Sequence, residues 1–375
     1  MLPDPACYRF VWGIMDQIRL HGESPCAFQG LSRRGHVTTP GPWDSVRRSG
    51  GREPMTLFLD ETCVAGLVGM DDALAAVEEV FREAGRGGVT NVPRLRVPLS
   101  DGTLRITAAV LNYRGYYGVK VSSTTIFESG AGRVFSLYRE ATGELCAVVQ
   151  VFGMGALRTG AASGVATRHL AREDASVLAV IGTGRQAETQ VEAVCAVRPI
   201  QDIRVFSRSP ENRAAFCATL AAKGLAAAPA TSAETAVRDA DVIVTATTAT
   251  APVLLGAWIA PGAHINAVGA NFEHRRELDS AAVARCAVIC TDDVEQVRYE
   301  ATDLAAPVAE GALAWDRVHP LGAIVAGTVS GRTSRDDITM FKSLGVAIED
   351  VALAARAYEK ALRAGAGVTL PDLAG

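Results

Sequence analysis

The sequence predicts an α/β protein: a doubly wound parallel sheet joined to a second domain of α+β character. Three observations carry this. Beyond Ser176, short apolar strands alternate with alanine-rich helical stretches, the pattern of a parallel sheet with helices on both faces. The first of those strands runs into Gly182-Thr-Gly184-Arg-Gln-Ala187 and then a helix. Before Ser176 the strands follow one another, separated only by turn signals. A length of 375 residues suits two domains, at roughly 100–200 residues each.

In chain order, residues 1–54 stand apart. From Gln29 to Pro54 the chain is polar, rich in Gly, Pro and Arg, and without period. Such a stretch cannot bury enough apolar surface to offset its ordering entropy. Met1 to Leu20 lacks the basic start and apolar block of a secretory signal, and Asp4, Asp16 and Glu23 argue against a transit peptide. The expectation is a disordered extension, or a start assigned too early, with Met55 opening the fold. A helix is expected over 73–84, capped by Asp71 or Asp72, with Leu74, Val77, Val80 and Phe81 on one face. Strands follow at 94–98, 103–111, 118–124, 134–138 and 145–152, separated by Ser100-Asp-Gly, Gly130-Ala-Gly and Thr142-Gly. A helix over 155–170 closes the block. The parallel sheet is expected from strands at 177–181, 203–207, 242–246, 264–268 and 287–291, with helices that include 188–197 and 210–223. Residues 337–364 read as one long helical pattern, interrupted at Gly345, that packs back on the first block. One domain therefore takes 55–175 plus 331–375, and a Rossmann domain takes 176–330.

Composition removes several function classes. A net charge of −4 without blocks of like charge gives no reason for a nucleic-acid partner. No run of about 18 apolar residues offers a membrane span, so a soluble protein is expected. The eight cysteines form no CxxC pair. Cys286 and Cys290 share parity in one strand, so they read as core thiols in a reducing cytoplasm rather than as metal ligands.

The strand, glycines and helix at 177–197 occur in the order that dinucleotide binding requires. Gly182 permits the tight turn, Gly184 lets the backbone approach a pyrophosphate, and Ala187 allows close helix–strand packing. Thr183, Arg185 and Gln186 share that turn, where unpaired N–H groups at the helix start favour an anion. An NAD site usually ends its second strand with a carboxylate for the ribose 2′-hydroxyl. Here that strand ends in Ser207-Arg208-Ser209, groups suited to a 2′-phosphate, while Asp202 precedes the strand at its wrong end. NADP(H) is thus favoured over NAD(H). Thr245, Ala246 and Thr247, with Val268 and Gly269, end the next two strands and complete the candidate cofactor set.

The basic residues include only four lysines: Lys120, Lys223, Lys342 and Lys360. Lys120 alone falls in a strand-like apolar stretch; the others fall in helical text, where a snorkelling lysine is ordinary. On the inner face of its strand Lys120 would be desolvated and suited to proton transfer; on the other face it would meet solvent. Arg158 lies in a small, apolar helix with no acidic residue within one turn. Its guanidinium needs a carboxylate, either from a substrate or from a distant Asp or Glu. Arg94 and Arg96, between Pro93 and Pro98, are candidates for the same work.

Several stretches then carry a family resemblance: Val92-Pro-Arg94, Val119-Lys120-Val121, Arg158-Thr-Gly-Ala-Ala, the run 179–187, the run 262–271, Arg276-Glu-Leu-Asp279 and Phe341-Lys-Ser-Leu-Gly345. In this order they make residues 55–375 similar to the ornithine cyclodeaminase/μ-crystallin family. The resemblance implies a homodimer whose first domain supplies substrate contacts and the dimer interface. It implies that Arg94 and Arg158 hold the α-carboxylate of an amino or imino acid, with Lys120 beside the reacting C–N centre. Two departures matter. Cyclodeaminases carry an acidic residue where this chain has Ser207-Arg208, and an Asp where it has Asn271. At both points the NADPH-using ketimine reductases are the better match. Gly160 stands where many relatives have Ala.

The expectation is an NAD(P)H-dependent oxidoreductase that reduces the C=N bond of a small α-imino acid, as a ketimine reductase or an alanine-dehydrogenase-like enzyme does. A cyclodeaminase that releases ammonia from a diamino acid, with recycled NAD, is the alternative. A non-catalytic NADPH-dependent ligand binder is the third reading.

Overall fold

The computed structural model describes residues 56–124 and 133–371, all within one compact unit spanning Glu53–Gly375. The expectations for residues 1–54 and for the Gly130-Ala-Gly turn lie outside the described residues. The chain opens with β1 (Leu57–Leu59), α1 (Glu61–Leu67) and α2 (Met70–Ala84). Five strands follow: β2 (Val89–Pro98), β3 (Thr103–Leu111), β4 (Tyr116–Ser123), β5 (Val134–Arg139) and β6 (Leu145–Gln150). After α3 (Phe152–Leu170) come β7 (Val177–Ile181), α4 (Arg185–Val197), β8 (Asp202–Phe206), α5 (Pro210–Ala222), β9 (Ala227–Pro229), α6 (Ala233–Val237), β10 (Val242–Thr245) and β11 (His264–Ala267). The remainder is α7 (Ser280–Ala284), β12 (Cys286–Thr291), α8 (Val294–Glu300), α9 (Thr302–Ala309), β13 (Val318–Pro320), α10 (Leu321–Val325), β14 (Ile338–Lys342), α11 (Ala347–Ala364) and β15 (Val368–Thr369). Among the described residues no helix is long and apolar enough to cross a membrane.

Two sheets organise these elements. The first has the order β15-β1-β6-β5-β4-β3-β2 and is antiparallel except where β1 meets β6. One of its faces packs on α2, α3 and α11, in a core that includes Phe81, Leu111, Phe135, Leu137 and Val351. Gly69 is the N-cap of α2, and the Asp72 side chain accepts from its N–H at 3.3 Å. Asp71 and Asp72 therefore sit inside the first turn, where the helix dipole favours anions, rather than at the expected cap. In α3, a Cβ on Gly160 would lie 2.4 Å from the carbonyl oxygen of Thr189 in α4. The close crossing of the two helices requires the glycine in the Arg158-Thr-Gly-Ala-Ala stretch.

The second sheet is wholly parallel, in the order β13-β12-β14-β11-β10-β7-β8-β9. Strand residues alternate between two cores: Ala179, Ile181, Ile243 and Ile265 on one face, Leu178, Val180, Val205 and Val244 on the other. Burial on both faces is what a doubly wound sheet demands. From β7 the chain moves outward through β8 and β9, then returns to the other side of β7 as β10. The crevice at that reversal, at the carboxyl ends of the strands, is where such sheets bind ligands.

Three expectations need correction. Residues 337–364 are not one helical pattern: Ile338–Lys342 is a strand, buried throughout, between β11 and β12. A short run buried on both faces has no period that tells strand from helix. Of this stretch, α11 is the helix that joins the first core. Lys342 itself, expected in helical text, lies in that strand and pairs with Asp303 at 3.1 Å, both fully buried. Cys286 and Cys290 are both buried but belong to different cores, because a register shift between Cys286 and Val288 breaks their shared parity.

Candidate active site

The substrate-side candidates stand on one face of the first sheet. Register pairs Thr107 with Lys120 and Arg105 with Ser122 across β3 and β4, and Arg96 with Arg105 across β2 and β3. Side chains alternate along a strand, so these residues share a face. A register shift between Val92 and Leu95 inserts a bulge in β2. Before it Asn91 faces inward; after it Arg94 and Arg96 do, while Val92 and Leu95 are 48% and 55% exposed. Without the bulge, Arg94 would face away from Lys120.

These cations rest on carboxylates far away in sequence. Lys120 Nζ donates to Asp350, whose other oxygen accepts from Arg158 Nε at 3.0 Å. Arg158 Nη1 donates to Glu349 at 2.7 Å. Arg94 donates to Glu300 at 3.0 Å and to the carbonyls of Leu344 and Gly345 at 3.0 and 2.6 Å. Arg96 Nε donates to the second Glu300 oxygen, and its Nη2 to the Asn271 carbonyl at 3.0 Å. Asp292 accepts from the N–H groups of Leu344 and Gly345, both at 2.7 Å, and so shapes the turn whose carbonyls meet Arg94. Buried charges need such partners, because an isolated one in a low-dielectric interior is far more costly.

Burial pulls the Lys120 ammonium down to about 8, partly opposed by Asp350 and reinforced by Arg158 and Arg94. Burial raises the Asp350 carboxyl, but Arg158 and Lys120 outweigh it and leave Asp350 below the ordinary range. Glu349 is pushed up to about 8, chiefly by burial and against the pull of Arg158. Lys120 can therefore hold or release a proton near neutrality while Asp350 stays ionised beneath it.

A cavity of about 160 Å³ opens over this face. Its wall includes the candidates Arg94, Lys120, Arg158 and Asn271, and also Arg185 and Gln186 from the start of α4 and Val268 just after β11. Arg105 and Arg133 line it as well, and neither stood out in the sequence. A second cavity, of about 560 Å³, lies at the ends of β7, β8 and β10. Gly182, Thr183, Gly184, Ser207, Arg208, Ser209, Ala246 and Thr247 line it. Three of the cofactor candidates lie off both walls. Ala187 is packed in the core beneath α4, the Thr245 hydroxyl donates to buried Glu277 at 2.9 Å, and the Gly269 N–H donates to Glu277 at 2.7 Å. Glu277 also accepts from the Thr247 N–H at 2.6 Å, so one carboxylate ties together the turns that follow β10 and β11.

The second cavity fits a dinucleotide. Gly182 has φ +113°, and a Cβ there would lie 2.3 Å from the Ala246 carbonyl oxygen. Gly184 faces open space, and α4 starts after it with no side-chain cap on its N–H groups. That leaves donors and room for a pyrophosphate. Asp202 pairs with Arg204 at the start of β8, away from the cavity. Ser209 caps α5 through the Asn212 N–H, at 3.1 Å.

Several of these partners had weak sequence signals. Glu349 and Asp350 are adjacent acids in an otherwise apolar helix start, the one cue that could have marked them as buried partners. Glu277 was marked only by the Arg276-Glu-Leu-Asp279 stretch, and Glu300 and Asp292 carried no signal.

A family model described as the ornithine cyclodeaminase/mu-crystallin family matches residues 55–365. The structure of Thermococcus litoralis Δ1-pyrroline-2-carboxylate reductase in complex with NADH and L-proline is 35% identical, with a TM-score of 0.79, over 84% of this chain and 100% of that one. An archaeal alanine dehydrogenase dimer with bound NAD is 34% identical, with a TM-score of 0.79, over 85% and 99%. Iminosuccinate reductase of Paracoccus denitrificans, in complex with NAD+, is 29% identical, with a TM-score of 0.79, over 84% and 99%.

Proposed function

The chain belongs to the ornithine cyclodeaminase/mu-crystallin family, and on that premise we propose that it reduces the C=N bond of a small α-imino acid with a pyridine nucleotide. The observation that carries this is Lys120: a lysine held near neutrality, beside two guanidiniums, in a cavity walled partly by the nucleotide-binding sheet.

Arg94 and Arg158 hold the α-carboxylate, which fixes the imine carbon against the Val268 and Gln186 side of the cavity. When bound, the nicotinamide supplies a hydride to that carbon. The C=N π pair moves to nitrogen, and Lys120 Nζ gives nitrogen its proton. Imino acid, reduced nucleotide and one proton thus become amino acid and oxidised nucleotide. Asp350 keeps Lys120 oriented and stabilises its charged form until transfer. Gly182, Thr183 and Gly184 would hold the pyrophosphate.

NADP(H) is the preferred nucleotide in this reading. Exposed Arg208 lines the second cavity beside Ser207, and no carboxylate stands among the residues that line it. The homodimer of the sequence reading finds support in the outer face of β2, where Val92, Leu95 and Val97 are exposed as a contiguous apolar row. The described cysteines are free thiols, which suits a reducing cytoplasm. A cyclodeaminase is disfavoured because no Asp or Glu lines the substrate cavity to take a second amine, Asn271 included.

The test is nucleotide oxidation, followed by absorbance, with NADPH or NADH and pyruvate plus ammonium, oxaloacetate plus ammonium, or Δ1-pyrroline-2-carboxylate. Reduction of at least one imine is expected. Ammonia release from ornithine without added nucleotide, and no imine reduction, would replace this reading with the cyclodeaminase.

A further inference from the structure

On the basis of that reductase reading, we propose that Glu277 is a positioning residue for the nicotinamide ring, and that its buried negative charge favours the ring in the oxidised, cationic form. Two residues that the proposed chemistry leaves unused, Glu277 of Arg276-Glu-Leu-Asp279 and Lys342 of Phe341-Lys-Ser-Leu-Gly345, meet here through Asp303. All three are fully buried at the carboxyl ends of β10, β11 and β14. Lys342 Nζ pairs with Asp303 at 3.1 Å, and Asp303 accepts from the Glu277 and Leu278 N–H groups at 2.7 and 3.0 Å. No ion pair reaches Glu277 among the described residues. Its oxygens accept instead from the Thr245 hydroxyl at 2.9 Å and from the N–H groups of Thr247, Gly269 and Ala270 at 2.6, 2.7 and 3.2 Å. One ammonium against two carboxylates leaves a negative charge uncompensated. Three backbone N–H donors suit a carboxylate and leave a carboxylic proton little to bond. Burial and Asp303 raise the Glu277 carboxyl, opposed by Lys342 and the Thr247 contacts. A cation above the turns would add to that opposition.

The turns that Glu277 holds separate the two cavities. Ala246 and Thr247, after β10, line the nucleotide cavity, while Val268 and Asn271, after β11, line the substrate cavity. The two strands are neighbours in the parallel sheet. A Cβ on Gly269 would lie 2.5 Å from Glu277 Oε1 and closer still to the Thr247 carbonyl oxygen, so the turns meet directly over the carboxylate. A hydride passing from nucleotide to imino acid has to cross this seam, and the ring that gives it lies there. The transfer moves one hydrogen and two electrons to the imine carbon and leaves a positive charge on the ring. Arg94, Lys120 and Arg158 hold the imino acid from the other side of the cavity and by themselves oppose that charge. Glu277 offsets them from beneath the seam, as a fixed charge that needs no rearrangement during the transfer.

The experiment measures equilibrium binding of NADPH and NADP+, and of NADH and NAD+, by calorimetry with no imino acid present. Glu277→Gln keeps the size of the side chain and removes its charge. The ratio of the oxidised to the reduced dissociation constant should rise by about 10-fold, the order of one charge acting through a polar interior. Lys342→Met makes the trio more negative, and the same ratio should fall. Glu277→Asp keeps the charge and should leave the ratio in place while weakening both forms, which is also what damage to the turns alone would do. In the unaltered enzyme, where no variant has to fold, the oxidised form should bind at least as tightly as the reduced one. A ratio unmoved in Glu277→Gln, or moved the same way by Glu277→Gln and Lys342→Met, overturns the inference. So does an unaltered enzyme that binds the reduced form about 10-fold more tightly than the oxidised. Ratios that shift as expected, with no imine reduced, overturn the reductase reading and leave the role of Glu277 standing.

Discussion

At the ends of β7 and β8 the chain lines its nucleotide crevice with residues that are neighbours in sequence, Gly182 to Gly184 and Ser207 to Ser209. In the substrate cavity each central cation leans on a distant partner. Lys120 meets Asp350 230 residues later, Arg158 meets Glu349 191 residues later, and Arg94 meets Glu300 206 residues later. The first site works through backbone geometry and small side chains. The second works through charge, placed by a bulge in β2 and a helix from the far end of the chain. A change in the first should therefore alter nucleotide choice and little else. A change in the second should propagate through its neighbours' charge.

The largest effect should come from Lys120→Met, which removes the proposed proton donor. A fall in kcat of about 100- to 10,000-fold is expected, with nucleotide affinity retained in a fluorescence titration. An undiminished kcat would remove Lys120 from the chemistry.

Asp350→Ala should come next, because it leaves Arg158 and Lys120 without the carboxylate between them. Breaking a buried pair costs about 3–5 kcal/mol, read as a lower midpoint in denaturant. Asp350→Asn separates charge from shape. Asp350 supports the charged form of Lys120, so this variant should move the alkaline limb of kcat/KM for reduction to lower pH.

In the unaltered enzyme that limb follows from the sign of the shift. In the proposed mechanism Lys120 donates as the ammonium, so kcat/KM for reduction should fall as pH rises through about 8. Amino-acid oxidation needs the free amine and should rise over the same range. Limbs that run the other way would reverse its role.

The smallest effect belongs to the nucleotide crevice. Arg208→Ala should raise the KM for NADPH by about 10-fold, the loss of one exposed charge-assisted contact, and leave that for NADH nearly unchanged. Equal effects on both nucleotides would take Arg208 away from the 2′-phosphate.

The same contrast explains what could be read from sequence. The nucleotide half was legible because its signals are local: a strand, two glycines and a helix in order, then a strand end without a carboxylate. Lys120 stood out because lysine is scarce in this chain. Arg158 left two options open, and the structure gives it Glu349 and Asp350 while keeping it on the cavity wall. Arg105 and Arg133 were invisible, since pairing register alone brings them beside Ser122, and register is not a local property. Strand β14 was missed for a related reason, its burial on both faces leaving no alternation to read.

The most direct test uses reduced nucleotide dideuterated at nicotinamide C4, with oxaloacetate or pyruvate and ammonium, and mass spectrometry of the amino acid formed. Hydride transfer to the imine carbon predicts a single deuterium at Cα of the aspartate or alanine. Unlabelled amino acid, or ammonia released with no net nucleotide oxidation, would contradict it.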